Sequence, residues 1–266
     1  MYETTYHRPS SVAEAASLFG KGKEAKYLAG GHTLIPVMKQ RLASPSDVID
    51  LGKLKELIGV EATGNGVEIK AATTHYDVST SDAVKKAIPA LAYLAAHIGD
   101  PHVRHRGTIG GSLANNDPAA DYPAAVLALG ATVKTNKRTI SADEFFKGLF
   151  TTALQDGEII TAVSFPVAAK AGYGKFPHPA SRFALTGVFV AKTAGGDVRV
   201  AATGASQNGV MRVPAIEAAL KANWSAGAID GVKVSADGLL NDIHGSSGYR
   251  ANLIKVMAQR AVAAAG

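Results

Sequence analysis

No cysteine occurs among the 266 residues. Disulfides, cysteine nucleophiles, thiolate zinc sites and cysteine-ligated iron–sulfur clusters are therefore excluded, so any iron–sulfur chemistry must reside on another chain. Aromatic residues are sparse at 6%, and the lysines and arginines behind the net charge of +6 are scattered rather than gathered in a block. Without a basic stripe interleaved with stacking aromatics, nucleic-acid binding is not expected; a mildly basic surface suits solubility or an acidic partner. No hydrophobic run approaches membrane-spanning length, and Met1 to Pro9 lacks an apolar signal segment. Cytoplasmic residence is the expectation. The common nucleotide and hydrolase signatures are missing too: no Gly-x-Gly-x-x-Gly follows a strand, and there is no Gly-Lys-Ser/Thr and no Gly-x-Ser-x-Gly.

What is present centres on two glycine pairs about eighty residues apart. The longer stretch runs Arg106-Gly107-Thr108-Ile109-Gly110-Gly111-Ser112-Leu113-Ala114-Asn115-Asn116-Asp117-Pro118-Ala119-Ala120-Asp121, with few bulky side chains and two carboxylates four apart. Such a run buries little and invites close approach of something else. Glycines here can adopt positive φ and let backbone N–H groups converge on phosphate, with Thr108 and Ser112 adding hydroxyl donors. Leu28-Ala29-Gly30-Gly31-His32-Thr33 has the same chemistry, set between a predicted strand and a predicted helix N-terminus. Two such loops can grip one diphosphate from two sides. His32 reads either as a phosphate donor or as a packed histidine bonded to backbone.

The rest of the chain reads as mixed helix and strand, and 47% hydrophobic residues suffice for a core. Ser11 caps a helix that Gly20 closes, and strands are predicted at 26–29 and 47–51. Thr63-Gly64-Asn65-Gly66 marks a hairpin. Thr73-Thr74-His75 ends its second strand and is a candidate to face the site. Helices follow at 81–86 and 89–97. His102 and His105 lie three apart, but the Pro101-started loop offers no helix to align them and no carboxylate completes a set, so no metal site is expected. Arg104 and Arg106 brace the glycine loop or meet phosphate. A small-residue helix reaches Gly130, strands lie at 131–135, 138–140 and 157–166, and residues 167–175 lose periodicity and mark a boundary. Beyond it, strands at 183–193, 198–205 and 211–213 precede two or three helices.

The two glycine stretches in this order, with Arg104-His105-Arg106 and Asp117-Pro118-Ala119-Ala120-Asp121, resemble the FAD-binding medium subunit of molybdenum hydroxylases. Ser247-Gly248-Tyr249-Arg250 through Gln259-Arg260-Ala261-Val262 is similar to that family's closing helix, so the resemblance covers nearly the whole chain. It implies an α+β fold: FAD-binding subdomains at 1–54 and 55–166, then a C-terminal α+β domain at 167–266 with a three-stranded antiparallel sheet and helices. It implies FAD held at its pyrophosphate by Ala29, Gly30, Gly31, His32, Thr33, Thr108, Ile109, Gly110, Gly111 and Ser112, with Asp117 in the same stretch. Asp121 matches the carboxylate that bonds ribityl or ribose hydroxyls, beside its plainer reading as an N-cap. Ile98 and Ile160 match apolar positions lining the flavin ring, though as isoleucines they read by default as core. Lys175 matches a lysine near the flavin; its alternative is a solvated linker residue. Phe183 stands where the family places the aromatic of a Gly-Asp-Tyr/Phe that shields the flavin, but here the triplet is Ser181-Arg182-Phe183.

The resemblance further implies an electron-transfer subunit with no catalytic side chain. Its partners would be a small subunit with 2Fe-2S clusters and a large subunit with the molybdenum cofactor, arranged as a dimer of heterotrimers. The acceptor would be NAD, a quinone, a carrier protein or oxygen. Two alternatives stay open: a self-contained FAD-dependent oxidoreductase, and a non-catalytic assembly subunit whose glycine loops are only turns.

Overall fold

The structure is a computed structural model and describes residues 1–265. Strand β1 (Thr5–His7), helix α1 (Val12–Phe19), β2 (Lys26–Leu28), α2 (Leu34–Lys39) and β3 (Asp47–Asp50) come first. The three strands form a parallel sheet in the order β1-β3-β2. Ser11 caps α1 by accepting from the Glu14 N–H, which satisfies one of the orphan donors at a helix start. The Glu14 carboxylate reaches back to Ser10, one residue short of a full capping box. Ala15, Ile49, Leu54 and Leu57 form the core of this part.

A second, five-stranded antiparallel sheet contains β4 (Val60–Thr63), β5 (Gly66–Lys70), β6 (Thr132–Thr135) and β7 (Thr139–Ser141), with the later strand β10 (Ile160–Pro166) between β5 and β6. Gly64-Asn65 makes the two-residue turn between β4 and β5, with Thr63 opposite Gly66. Between β5 and β6 the chain inserts six helices: α3 (His75–Thr80), α4 (Asp82–Ala87), α5 (Pro89–Ala96), α6 (Pro101–Arg104), α7 (Ile109–Asn115) and α8 (Tyr122–Leu129). Helix α9 (Ala142–Phe145) and the hairpin β8 (Phe146–Gly148) and β9 (Thr151–Thr152) precede β10. Every residue of α8 is buried. A helix apolar all round is stable only when covered on all sides, and α8 lies between the second sheet and a third.

The third sheet is antiparallel: β11 (Lys170–Pro177), β12 (Ala184–Lys192), β13 (Val198–Thr203) and β14 (Met211–Arg212). It has four strands rather than three, because residues 170–177 form an edge strand and not a linker. Gly172 and Gly174 explain the misleading composition. Helix α11 (Ser247–Ala264) crosses β11 so closely that a Cβ at either glycine would overlap the Ala261 or Met257 carbonyl. Alternate residues of β12 face opposite layers: Phe189 and Ala191 join the core around α8, whereas Val188 and Val190 pack with α10 (Pro214–Ala222) and α11. With both faces covered, the strand reads as a continuous apolar run. Arg250 of α11, buried, donates to the Leu185 and Gly204 carbonyls at 2.8 and 2.7 Å and pairs with both Asp242 oxygens, anchoring the helix to the sheet.

Candidate functional site

The first glycine loop leaves the end of β2 and enters α2. Gly31 has φ +78°, a conformation that glycine adopts without the Cβ penalty. The turn sends the Gly31 and Thr33 carbonyls toward the helix, where they accept from Ile35 and Val37 N–H at 3.1 and 3.2 Å. The amides of this loop are left unpaired. Among the described residues, nothing accepts from the N–H groups of Gly30, Gly31, His32 or Thr33.

The second loop is built differently. Residues 109–115 form α7, and neither Gly110 nor Gly111 has positive φ. Their amides do not converge on open space: Ile109 N–H bonds the Thr73 carbonyl at 3.2 Å, Gly110 N–H the Ala71 carbonyl at 2.8 Å, Gly111 N–H the Thr108 hydroxyl at 3.1 Å and Ser112 N–H the Thr108 carbonyl at 3.0 Å. Glycine is required here for close packing, since a Cβ on Gly110 would stand 2.6 Å from the Ala71 Cβ and 2.8 Å from its carbonyl oxygen. The two loops meet at Gly30, where a Cβ would overlap the Arg106 carbonyl and come within 2.7 Å of the Gly107 Cα.

Between the loops opens a cleft of ≈ 650 Å³, within the size range of cofactor sites. Ala29, Gly30, Gly31, His32 and Thr33 line one side, and Thr108, Gly110, Gly111 and Ser112 line the other. Ile98 and Ile160 supply apolar wall, and Asp117, Asp121 and Phe183 also border the space. Phe183 is 49% exposed and precedes β12 rather than lying in it. Two expected site residues lie off the lining. The Ile109 side chain is fully buried in the core. Lys175 lies behind the wall on β11, donating to the His97 carbonyl at 2.8 Å and contacting Asp121 at 2.9 Å. Its side chain is 6% exposed, and so it is no solvated linker residue.

Asp121 does not cap α8 through its side chain. Its carboxylate accepts from the Tyr173 hydroxyl at 2.5 Å and from Lys175. Burial pushes this carboxyl upward, while the Lys175 ammonium and Tyr173 hydroxyl oppose that shift. Asp117 turns its own loop, accepting from Ala119 N–H at 2.9 Å. Arg104 braces the 98–99 turn through the Ile98 and Gly99 carbonyls. Residues 101–104 are a helical turn capped by Asp100, contrary to the expectation of a loop. His105 bonds the Pro101 carbonyl and stacks on Tyr76.

Several lining residues lacked a decisive sequence signal, Val103, Leu154 and Glu158 among them. Val103 and Leu154 read as ordinary apolar residues, and Glu158 gave no hint of its environment. The Glu158 side chain is buried, with the Arg138 guanidinium at 3.0 Å, the Thr135 hydroxyl at 2.7 Å and the Gln155 N–H at 2.7 Å. The Arg138 hydrogen bond leads in holding this carboxyl down to about 2.

Amides without acceptors, an apolar wall and a second loop in backbone contact with the first surround the cleft. Residues 2–168 match the family described as the FAD binding domain in molybdopterin dehydrogenase. The chain belongs to that family. Among full-length relatives, the nicotine 6-hydroxylase medium subunit of Paenarthrobacter nicotinovorans is 36% identical, over 98% of this chain and 96% of its own. The carbon monoxide dehydrogenase medium chain of Hydrogenophaga pseudoflava is 34% identical, with the same coverage. The fold matches a chain of reconstituted CO dehydrogenase from Oligotropha carboxidovorans with a TM-score of 0.89 and 31% identity, over 99% of this chain and 97% of that one. This is the α+β fold of the FAD-binding family, and these relatives are subunits of multi-subunit dehydrogenases of the molybdenum hydroxylase type. Among the described residues, no helix is long and apolar enough to cross a membrane.

Proposed function

We propose that this chain is the FAD-binding electron-transfer subunit of a multi-subunit molybdenum hydroxylase, receiving electrons from iron–sulfur clusters of a small subunit and passing them to an external acceptor. The observation that carries the reading is the set of acceptor-free amides at Gly30 to Thr33, in residues that line a cleft of cofactor size, in a chain without cysteine. FAD fits this donor set: backbone N–H groups suit a diphosphate, and the neighbouring apolar wall suits a planar ring. Bound flavin supplies the exchange of one or two electrons at a time.

The residues of this chain then have binding and orienting roles only. Ala29 to Thr33 hold the diphosphate through their amides, and the Thr108 and Ser112 hydroxyls lie across from them. Ile98 and Ile160 exclude water from the ring's flanks, and Phe183 covers its exposed face at the cleft mouth. Asp121, oriented by Tyr173 and Lys175, offers its remaining lone pairs to sugar hydroxyls. Residues 1–54, 55–166 and 167–266 serve as three units, the first two forming the cleft and the third closing its mouth. The small 2Fe-2S subunit and the large molybdenum subunit complete a dimer of heterotrimers in the cytoplasm, with NAD, a quinone, a carrier protein or oxygen as acceptor.

The visible spectrum of the purified chain, alone and with added FAD, tests this directly. The expected result is a bound flavin, one per chain, released on denaturation as FAD. A chain that takes up no flavin, either alone or co-expressed with its partners, would overturn the reading in favour of an assembly subunit.

A further inference from the structure

We propose that His75 is a neutral Nε2–H donor to the diphosphate of the bound dinucleotide, a role that rests on the FAD reading above. His75 opens α3, with its backbone N–H bonded to the Gly107 carbonyl at 2.9 Å. It is 4% exposed, lines the cleft, and packs its ring at a tilt against Tyr122 with centroids 5.3 Å apart. Nδ1 is sealed from solvent and has no hydrogen-bond partner. Nε2 has no partner within the protein either, but it is not among the sealed atoms, and the residue lines the cleft.

This asymmetry selects a tautomer. A proton on Nδ1 would be a buried donor without an acceptor, which folded proteins tolerate less well than a buried lone pair. The proton therefore resides on Nε2 and is offered to the cleft. Burial, with His32 and Arg104 nearby, holds the ring's pKa down to about 3, so it stays a neutral donor through the physiological range.

Position identifies the acceptor. His75 Nε2 lies against Gly107, where a Cβ would come within 2.5 Å of it, and Gly30 packs against the Cα of the same residue. The imidazole and the backbone of the first loop, whose amides lack acceptors, thus meet at one glycine, and the group able to satisfy both sets of donors is an oxygen-rich anion rather than the flavin ring.

Titration calorimetry of the full chain with FAD, ADP and riboflavin separates the possibilities. His75→Leu is expected to weaken FAD and ADP alike by about 10- to 100-fold, the loss of one hydrogen bond to a charged group, and to leave riboflavin binding unchanged. His75→Gln, whose amide nitrogen can stand where Nε2 stood, is expected to recover most of that loss. Unchanged FAD and ADP affinity in His75→Leu would overturn the role of His75 while leaving the FAD reading intact. Parallel loss of riboflavin would also overturn it. A wild-type chain that binds neither FAD nor ADP would sink the FAD reading, and this inference with it. Should His75→Leu fail to fold, long-range proton–nitrogen NMR of the ligand-free wild-type chain decides: a protonated Nε2 is expected, and a protonated Nδ1 contradicts the proposal.

Discussion

The two glycine pairs look alike in sequence and act differently in space. Gly30-Gly31 leaves four successive N–H groups without an acceptor, with Gly31 at φ +78°. Gly110-Gly111 has its amides bonded internally and lets α7 press against Ala71. One loop is shaped for a ligand and the other for packing that brings Thr108 and Ser112 to the same cleft. A glycine pair reports that a Cβ is unwelcome, but not whether the reason is a ligand, a helix or the neighbouring strand.

The sharpest way to break this comparison is to add side chains to each loop. Gly110→Val should lower the unfolding free energy of the ligand-free chain by about 3 kcal/mol, as overpacking against backbone does, read from urea denaturation. An unchanged midpoint would refute the packing role. Gly31→Ala should cost less stability, about 1–2 kcal/mol for the left-handed backbone. It should weaken FAD by about 10- to 100-fold, because the amides move. Calorimetry would show the loop to be a mere turn if affinity held. Gly111→Val, whose Cβ points toward Thr108 and Ala29, should block flavin uptake, and full flavin occupancy would remove Gly111 from the site.

Smaller effects come from two titrating groups. His75, held down to about 3, refuses a proton that the unfolded chain accepts below its ordinary value of about 6.5. Its contribution is therefore complete above that pH and is lost as pH falls toward 3, at up to about 1.4 kcal/mol per pH unit. Urea titrations between pH 7 and 5 should show a flatter profile for His75→Gln than for the wild type, and equal slopes would contradict the buried neutral ring. Glu158, held down to about 2, behaves as a depressed carboxylate: its stabilisation is present above the ordinary carboxylate range and is lost as pH falls toward 2. Arg138→Met removes the leading cause of that depression, so the variant should lose stability at a higher pH than the wild type as acid is added, and should affect neither loop. A loss of FAD affinity in that variant would tie Glu158 to the cofactor after all.

Much of this was legible in the residues. Ser11, Gly130 and Asn65-Gly66 mark a helix start, a helix end and a hairpin by local chemistry alone, and the paired loops identify the family. What was hidden depended on distant partners. Helix α7 reads as a loop because its glycines and polar residues have low helix propensity; the Thr73 and Ala71 carbonyls, more than thirty residues earlier, hold its first turn. Strand β11 reads as a linker because Gly172 and Gly174 give no periodicity, and they are there to admit α11. Asp121 admits an N-cap reading beside its ligand role because the Tyr173 hydroxyl that claims it lies 52 residues away. The site was legible as composition, whereas the division of labour between its loops was not.

Amide hydrogen exchange of the chain with and without FAD tests that division most directly. The amides of Gly30 to Thr33 should exchange quickly in the free protein and become protected when FAD binds, while those of Ile109 to Ser112 should be protected in both states. Flavin bound with no new protection at Gly30 to Thr33, or with protection gained at Ile109 to Ser112 instead, would contradict the account.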